Sequence, residues 1–382
     1  MNVGKKKFGL FEAILFCLIV LEELPKSYVL SGSEAFHMIA NVAQLPLYAG
    51  LLYLIIENKY PARQLSVFAA VAVLLLLGYV HSGQAAYFRA FLLMIAAGRT
   101  PFQRILKVCR TAMTGTFAAT VLMWLLGISD SGVGRRGKLA FGYVHPNYVA
   151  QVVMILVLLW LVEKGNRERF LRYVLTEAAA VAILFLTGSK TAGIIIAASP
   201  LVVELCRCAV YQKKSSKLTK LLLEGSQPVI LLFTWLSAKL LPYSGVLKKL
   251  DLIFTNRLFL NYYQFTKYSL KLFGQNVSLH EPGGAYNEIQ HFWAAITCDC
   301  TYTLSLVVMG LIPTALFAVG YVLLMRKALR SGDYLVVSAA VLLALYAFCE
   351  SQMVEVYNNF VYLYLFAMAR TDLQERRKLC DT

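Results

Sequence analysis

The stretch QLSVFAAVAVLLLLGYVHSGQAAYFRAFLLMIAAG, residues 64–98, decides how this chain folds. Residues 64–80 carry no charge and approach the roughly 20 residues needed to cross about 30 Å of hydrocarbon. The polar turn HSGQ follows, and a second apolar run at 84–98 is interrupted by Arg89 alone. Two such runs back to back read as an antiparallel pair of transmembrane segments. In lipid the backbone must satisfy its own hydrogen bonds, so both segments should be helices.

The pattern repeats outward in both directions. Of 382 residues, 59% are hydrophobic and only 15% charged, and the mean hydropathy is +0.62. One soluble core could not hide so much apolar surface. Candidate spans lie at 8–24, 35–57, 64–80, 84–98, 109–128, 147–162, 173–187, 191–209, 225–241, 299–325, 334–351 and 353–369. The ten-residue alternation of an outer-membrane barrel is missing, as are internal repeats and low-complexity tracts. The expected fold is therefore all-α: a polytopic transmembrane helical bundle of about 12 spans forming one domain over 1–382, with a long extracytoplasmic loop at 242–298.

A formal net charge of +16 would suggest nucleic acid in a soluble protein. Here topology explains it, because Lys and Arg collect in cytoplasmic loops, and no nucleic-acid partner is expected. With twelve spans and a cytoplasmic N-terminus, one side receives MNVGKKK, ENKYPARQ, GRTPFQRILKVCR, EKGNRERFLR, YQKKSSKLTK, RKALRSGD and RTDLQERRKLC. All are rich in Lys or Arg. Removing span 84–98 would put the first two opposite the rest, so the even count wins and both termini are cytoplasmic. Lys5, Lys6 and Lys7 precede an apolar run as in a signal peptide. Glu22, Glu23 and Pro25 follow it without a small-x-small cleavage site, so the run is a retained first span. The eight cysteines form no CxxC pair, and the Cys298/Cys300 pair reads as structural.

The opposite side receives short turns, a loop at 129–146 and the long loop. These two loops run against the charge rule: Arg135, Arg136, Lys138, Lys248, Lys249, Arg257, Lys267 and Lys271 all fall there. An anionic ligand would account for them, although long loops also translocate regardless of charge. From Asn256 to Leu272 a helical reading places Leu258, Tyr262, Phe265, Ser269 and Leu272 on one stripe. Arg257, Asn261, Gln264, Lys267 and Lys271 fall on another. That is an amphipathic helix suited to the membrane surface, with its cations toward headgroups or substrate. FGQNVSLHEPGGAYNEIQHFW (273–293) follows as a turn region holding His280, Glu281, Glu288 and His291.

Several residues in these loops can carry chemistry. His145-Pro146-Asn147 opens a span, either as a helix cap or as a His and an amide aimed into an external cavity. Thr187-Gly188-Ser189-Lys190-Thr191 is a tight external turn that lacks P-loop spacing. The fork of Arg257 suits a diphosphate, and His280, His291 and Asp299 are candidate general bases. His280, Glu281 and His291 lack the spacing of a zinc site, so no metal is expected. Arg89 either snorkels outward or lines the cavity. Glu350 and Glu355, with Asn358 and Asn359, bracket the last external turn, and the two carboxylates, if buried, need partners among these cations.

Taken together these pieces resemble the O-antigen polymerase and ligase superfamily, in particular Wzy-like polymerases of exopolysaccharide and capsule pathways. FGYVHPNYVA (141–150) is similar to the family's G-x-x-HPN at a span start, and TGSKTAGI (187–194) to its S-[RK]-[ST] turn. NRLFLNYYQFTKYSLKLFG (256–274) is similar to its Arg-led external helix, and CDCTYTLSLVVMGLI (298–312) to the segment opening its next span. Cys300 stands where the polymerases often have Asn, and Lys190 where Arg is common. The ligases usually carry a His near the position of Asp299.

The resemblance implies a cofactor-free, metal-independent and inverting glycosyltransferase of the bacterial cytoplasmic membrane. It would move a growing glycan from a polyprenyl diphosphate carrier to the acceptor sugar of a lipid-linked repeat unit. Membrane lipids surround it, and a flippase and a chain-length regulator are the protein partners such a pathway supplies. Arg257, with Arg135 or Arg136 and Lys190, would hold the diphosphate. Asp299 or His280 would act on the acceptor hydroxyl, and His145 with Asn147 would shape the pocket. Arg89, Lys267 and His291 complete the expected substrate contacts. A ligase acting on another acceptor, and a transporter of lipid-linked oligosaccharide, remain the alternatives.

Overall fold

The structure is a computed structural model that describes residues 9–129, 138–164, 169–211 and 216–369. It is mostly helical. In chain order it contains α1 (Leu10–Glu23), α2 (Tyr28–Ser31), α3 (Glu34–Glu57), α4 (Ala62–Ser82), α5 (Ala86–Ala96), α6 (Phe102–Leu125), α7 (Pro146–Lys164), α8 (Arg169–Leu186) and α9 (Lys190–Tyr211). There follow α10 (Lys217–Glu224), α11 (Ser226–Leu240), α12 (Gly245–Ile253), α13 (Arg257–Lys267), strands β1 (Glu281–Asn287) and β2 (Phe292–Ile296), α14 (Thr301–Leu304), α15 (Leu311–Ser331) and α16 (Tyr334–Ala347).

Among the described residues, α3, α4, α6, α7, α9 and α15 are long and apolar enough to cross a membrane, and α10 with α11 makes a pair bent by 66°. Their outer faces are greasy: Met38, Ile39, Val42, Leu45, Leu52 and Ile56 on α3, and Val67, Val73, Leu76 and Val80 on α4, are all exposed. A water-soluble protein does not present apolar surface on that scale. These are the properties of a helical membrane protein. The core is built round α16, in which every residue but Val341 and Leu345 is buried, as befits a helix apolar on all sides. Its most extensive partner is α9.

Four features depart from the sequence reading. The segment at 353–369, read as a span, consists of short 3₁₀ turns at Ser351–Val354 and Phe360–Leu365. Side chains take up its backbone groups: Lys327 Nζ donates to the carbonyls of Tyr364, Leu365 and Ala367, and the Asn358 and Asn359 amides donate to those of Gln352 and Met353. Irregular backbone within a membrane protein persists where protein groups satisfy it in this way. Helices α1, α5 and α16 are shorter than a full span, so the six long helices fall short of the twelve spans expected. The turn region after α13 contains an antiparallel hairpin, β1–β2, an exception to the all-α expectation.

The fourth departure is in the span expected at 299–325, which breaks at Gly310 after a π-helical turn at Ser305–Met309. Gly310 has φ +97° and ψ 166°, a region open essentially to glycine alone. Its partner is Gly274: a Cβ on Gly310 would run into Gly274 N, and one on Gly274 into the carbonyls of Val308 and Met309. Backbone hydrogen bonds from Gln275, Leu311 and Ile312 to Val308, Lys271 and Leu272 seal the join. Gly310→Ala is therefore expected to cost about 1–3 kcal/mol, read as a lowered unfolding temperature in detergent. An unchanged temperature would mean the contact is dispensable.

Candidate functional site

Side-chain contacts gather the conspicuous polar residues at one end of the bundle. Thr191, at the start of α9, bonds the Cys349 thiol beyond the end of α16. Thr301 Oγ1, at the start of α14, donates to the Glu350 carbonyl at 2.5 Å. At the opposite end lie ion pairs among the expected cytoplasmic segments: Arg110–Glu163, Arg169–Glu204 and Arg326–Glu224.

Arg257 is the centre of the first cluster. It is the first residue of α13, and only 12% of its side chain is exposed. Nη1 lies 3.7 Å from Asp299 Oδ2 and Nη2 3.6 Å from Glu350 Oε1. Nη1 also donates to the Cys349 and Asp299 carbonyls. The two carboxylates differ: the Asp299 side chain is 45% exposed and that of Glu350 only 14%. Arg257 is held in place by Asp251, which is fully buried. Asp251 Oδ1 accepts from the N–H groups of Leu258 and Phe259, capping the start of α13, and Oδ2 accepts from Gln290 Nε2. Burial raises the Asp251 carboxyl above its usual range, while the two N–H bonds draw it back down.

The second cluster surrounds Arg89. Its Nη1 meets Glu22 Oε1 at 2.7 Å and its Nη2 meets Glu355 Oε1 at 3.2 Å. Gln44 donates to the same Glu22 oxygen. Beside them Lys26 pairs with Glu23 at 2.6 Å and lies over the Tyr357 ring. The two clusters are joined by one irregular segment, 349–359, gripped by Arg257 at Glu350 and by Arg89 at Glu355. Midway along it Gln352 accepts from the Gln151 amide of α7.

The remaining candidates separate. Lys190 is exposed and Lys138 lays its stem over Gly188 of the same turn, with Nζ on the Phe185 carbonyl at 3.1 Å. Arg135 and Arg136 lie outside the described residues. His145 is exposed, and its Nδ1 accepts the Asn147 N–H at 3.1 Å, which is the helix-cap role. Lys267 sits over the rings of Tyr263 and Tyr268. His280 precedes Glu281, whose partner across the hairpin is Ile296, so it lies at the Asp299 end. His291 is at the tip, with φ +59°. The strand length separates the two histidines by on the order of 15–20 Å, so they cannot share a zinc ion or one acceptor hydroxyl. Among the described residues no three His, Cys, Asp or Glu side chains gather as a metal site.

The amphipathic helix is shorter than expected, Arg257–Lys267, and Arg257, Asn261 and Gln264 of its polar stripe point inward while Lys267 is exposed. Asn261 and Gln264 are buried. Thr303 donates to Asn261 Oδ1, and Gln264 donates to the Leu279 carbonyl. Sequence periodicity identifies the stripe but not which face the protein covers. Asp251 gave no sequence signal of its role, because its partners are two backbone N–H groups beyond the turn at Thr255–Asn256 and the distant Gln290 amide. The hairpin was foreseeable: Ala285-Tyr286-Asn287 and Phe292–Ile296 flank a short polar turn, closed by Asn287 Oδ1 accepting from Ile289 and Gln290. No protein family, curated protein or solved structure matches the chain.

Proposed function

We propose that this chain is a glycan polymerase of the extracytoplasmic membrane face, moving a growing glycan from a polyprenyl diphosphate to a lipid-linked acceptor unit. The observation that carries the reading is the Arg257 cluster: a largely buried guanidinium holding a solvent-accessible carboxylate, Asp299, at one end of the helical bundle. In this reading the acceptor hydroxyl gives its proton to Asp299, and its oxygen attacks the anomeric carbon from the face opposite the leaving group. The bond from that carbon to the phosphate oxygen breaks, and the diphosphate departs with the electron pair. A positioned carboxylate of this kind contributes about 10²–10⁴-fold.

One role shifts in this reading. Arg257 already faces two carboxylates, which would repel a diphosphate, so it serves to aim Asp299. The diphosphate falls to Lys138 and Lys190 on the neighbouring turn, with Arg135 and Arg136 from the same loop. Donors placed where leaving-group charge develops stabilise it without a metal.

A transporter would use half-helices broken at mid-depth. The break at Gly310 does not supply one, because α15 has 21 residues after the break and at about 1.5 Å each spans the bilayer alone; the α10–α11 pair, bent by 66°, is the broken span a transporter would have to use. Leaflet-resolved labelling of the lipid-linked unit in a deletion strain separates the two. Single units exposed on the outer leaflet support the polymerase; units trapped on the inner leaflet overturn it.

A further inference from the structure

The groove between α13 and the β1–β2 hairpin is not used by the Arg257 cluster. It has a volume of about 350 Å³ and is walled by Phe259, Tyr262, Tyr263 and Tyr286, with Lys267 and Glu288 at its edge. At 100° per residue the groove-lining positions of α13 centre on the face opposite Arg257 and Asn261. The helix thus stands between the groove and the reacting atoms. Trp293 continues the aromatic surface: it pairs with Tyr286 across the hairpin, with ring centroids 6.2 Å apart, and is 71% exposed.

We infer that this groove holds sugar rings of the growing glycan away from the point of transfer, and so governs how long the chain becomes. The inference rests on the polymerase reading and assigns the chain-holding subsite. Flat aromatic faces with polar rims suit pyranose rings, which present an apolar C–H face and an edge of hydroxyls. One cation and one carboxylate at the edge leave the groove near neutrality, offering both donors and acceptors to hydroxyls. A phospholipid headgroup would be repelled by Glu288, and an acyl chain would leave the Glu288 carboxylate and the tyrosine hydroxyls facing hydrocarbon. The volume lies at the lower end of the ~300–1,000 Å³ range of small-molecule pockets, enough for a short run of rings.

The test compares the polymer made by cells carrying Tyr263→Ala with Tyr286→Ala and by cells carrying Asp299→Asn. The double variant is expected to make polymer several-fold shorter than the wild type, with the first transfer preserved, whereas Asp299→Asn makes none. Wild-type chain length in the double variant overturns the groove while leaving the polymerase reading intact. Wild-type polymer from Asp299→Asn overturns the carboxylate's role instead. Should the double variant fold poorly, the purified wild-type chain and the two single tyrosine variants are titrated with soluble fragments of the polymer, following the part of the tryptophan fluorescence that Trp293→Phe removes. Saturable quenching by the fragments, weakened about tenfold in Tyr263→Ala and in Tyr286→Ala taken singly, supports the groove. Quenching by phosphatidylglycerol vesicles and none by the fragments overturns it.

Discussion

Cells carrying Arg257→Ala are expected to make no long polymer and to accumulate single lipid-linked repeats. The substitution removes the group that aims Asp299 and strands the Glu350 carboxylate, 14% exposed, beside it. Losing the base's alignment should lower transfer by about 10²–10⁴-fold. Arg257→Lys should recover little, because a single ammonium cannot face Asp299 and Glu350 with the two arms of a fork. The fold needs its own control, since removing one partner of a buried pair also destabilises. Asp299→Asn supplies it: that side chain is 45% exposed, so the variant should remain folded and inserted yet lose transfer. Normal chain length in both variants would remove the cluster from the mechanism.

The second large effect is expected at Arg89→Ala, and it is one of stability. Arg89 holds Glu22 and Glu355 at 2.7 and 3.2 Å, and all three side chains are less than 27% exposed. Removing the cation leaves two carboxylates facing each other in a poorly hydrated site, at a cost of about 3 kcal/mol. The expected result is a markedly lower unfolding temperature and folded yield in detergent. Arg89→Ala combined with Glu355→Gln should recover part of the loss, because it removes one of the stranded charges. An Arg that merely reached outward to water would tolerate replacement with no change in either measurement.

Both expectations grow from features visible in the sequence to different degrees. Arg89 announced itself as a lone charge in an apolar run, and Glu350 and Glu355 as carboxylates that would need cations if buried. Which cation met which carboxylate was not legible, because the pairs are separated by more than ninety and more than two hundred residues and depend on how helices pack. The apolar runs at 64–80 and 191–209 became α4 and α9, since lipid leaves an apolar segment no alternative to the helix. The segment at 353–369 did not: Glu355, Asn358 and Asn359 interrupt it, and Lys327, from a distant helix, takes three of its carbonyls. Hydropathy records what a segment avoids and says nothing of such partners. The same limit explains α13, whose stripe was plain in the sequence while the direction it faces was set by Thr303 and Leu279.

The central claim is that Asp299, aimed by Arg257, drives glycan transfer between lipid-linked units. It is tested most directly by reconstituting the purified full-length chain in liposomes with a polyprenyl diphosphate-linked repeat unit as the sole substrate, with EDTA present. The account predicts a lengthened glycan together with released polyprenyl diphosphate, both lost with Asp299→Asn. Movement of the intact unit across the bilayer without elongation, or elongation unaffected by Asp299→Asn, would contradict it.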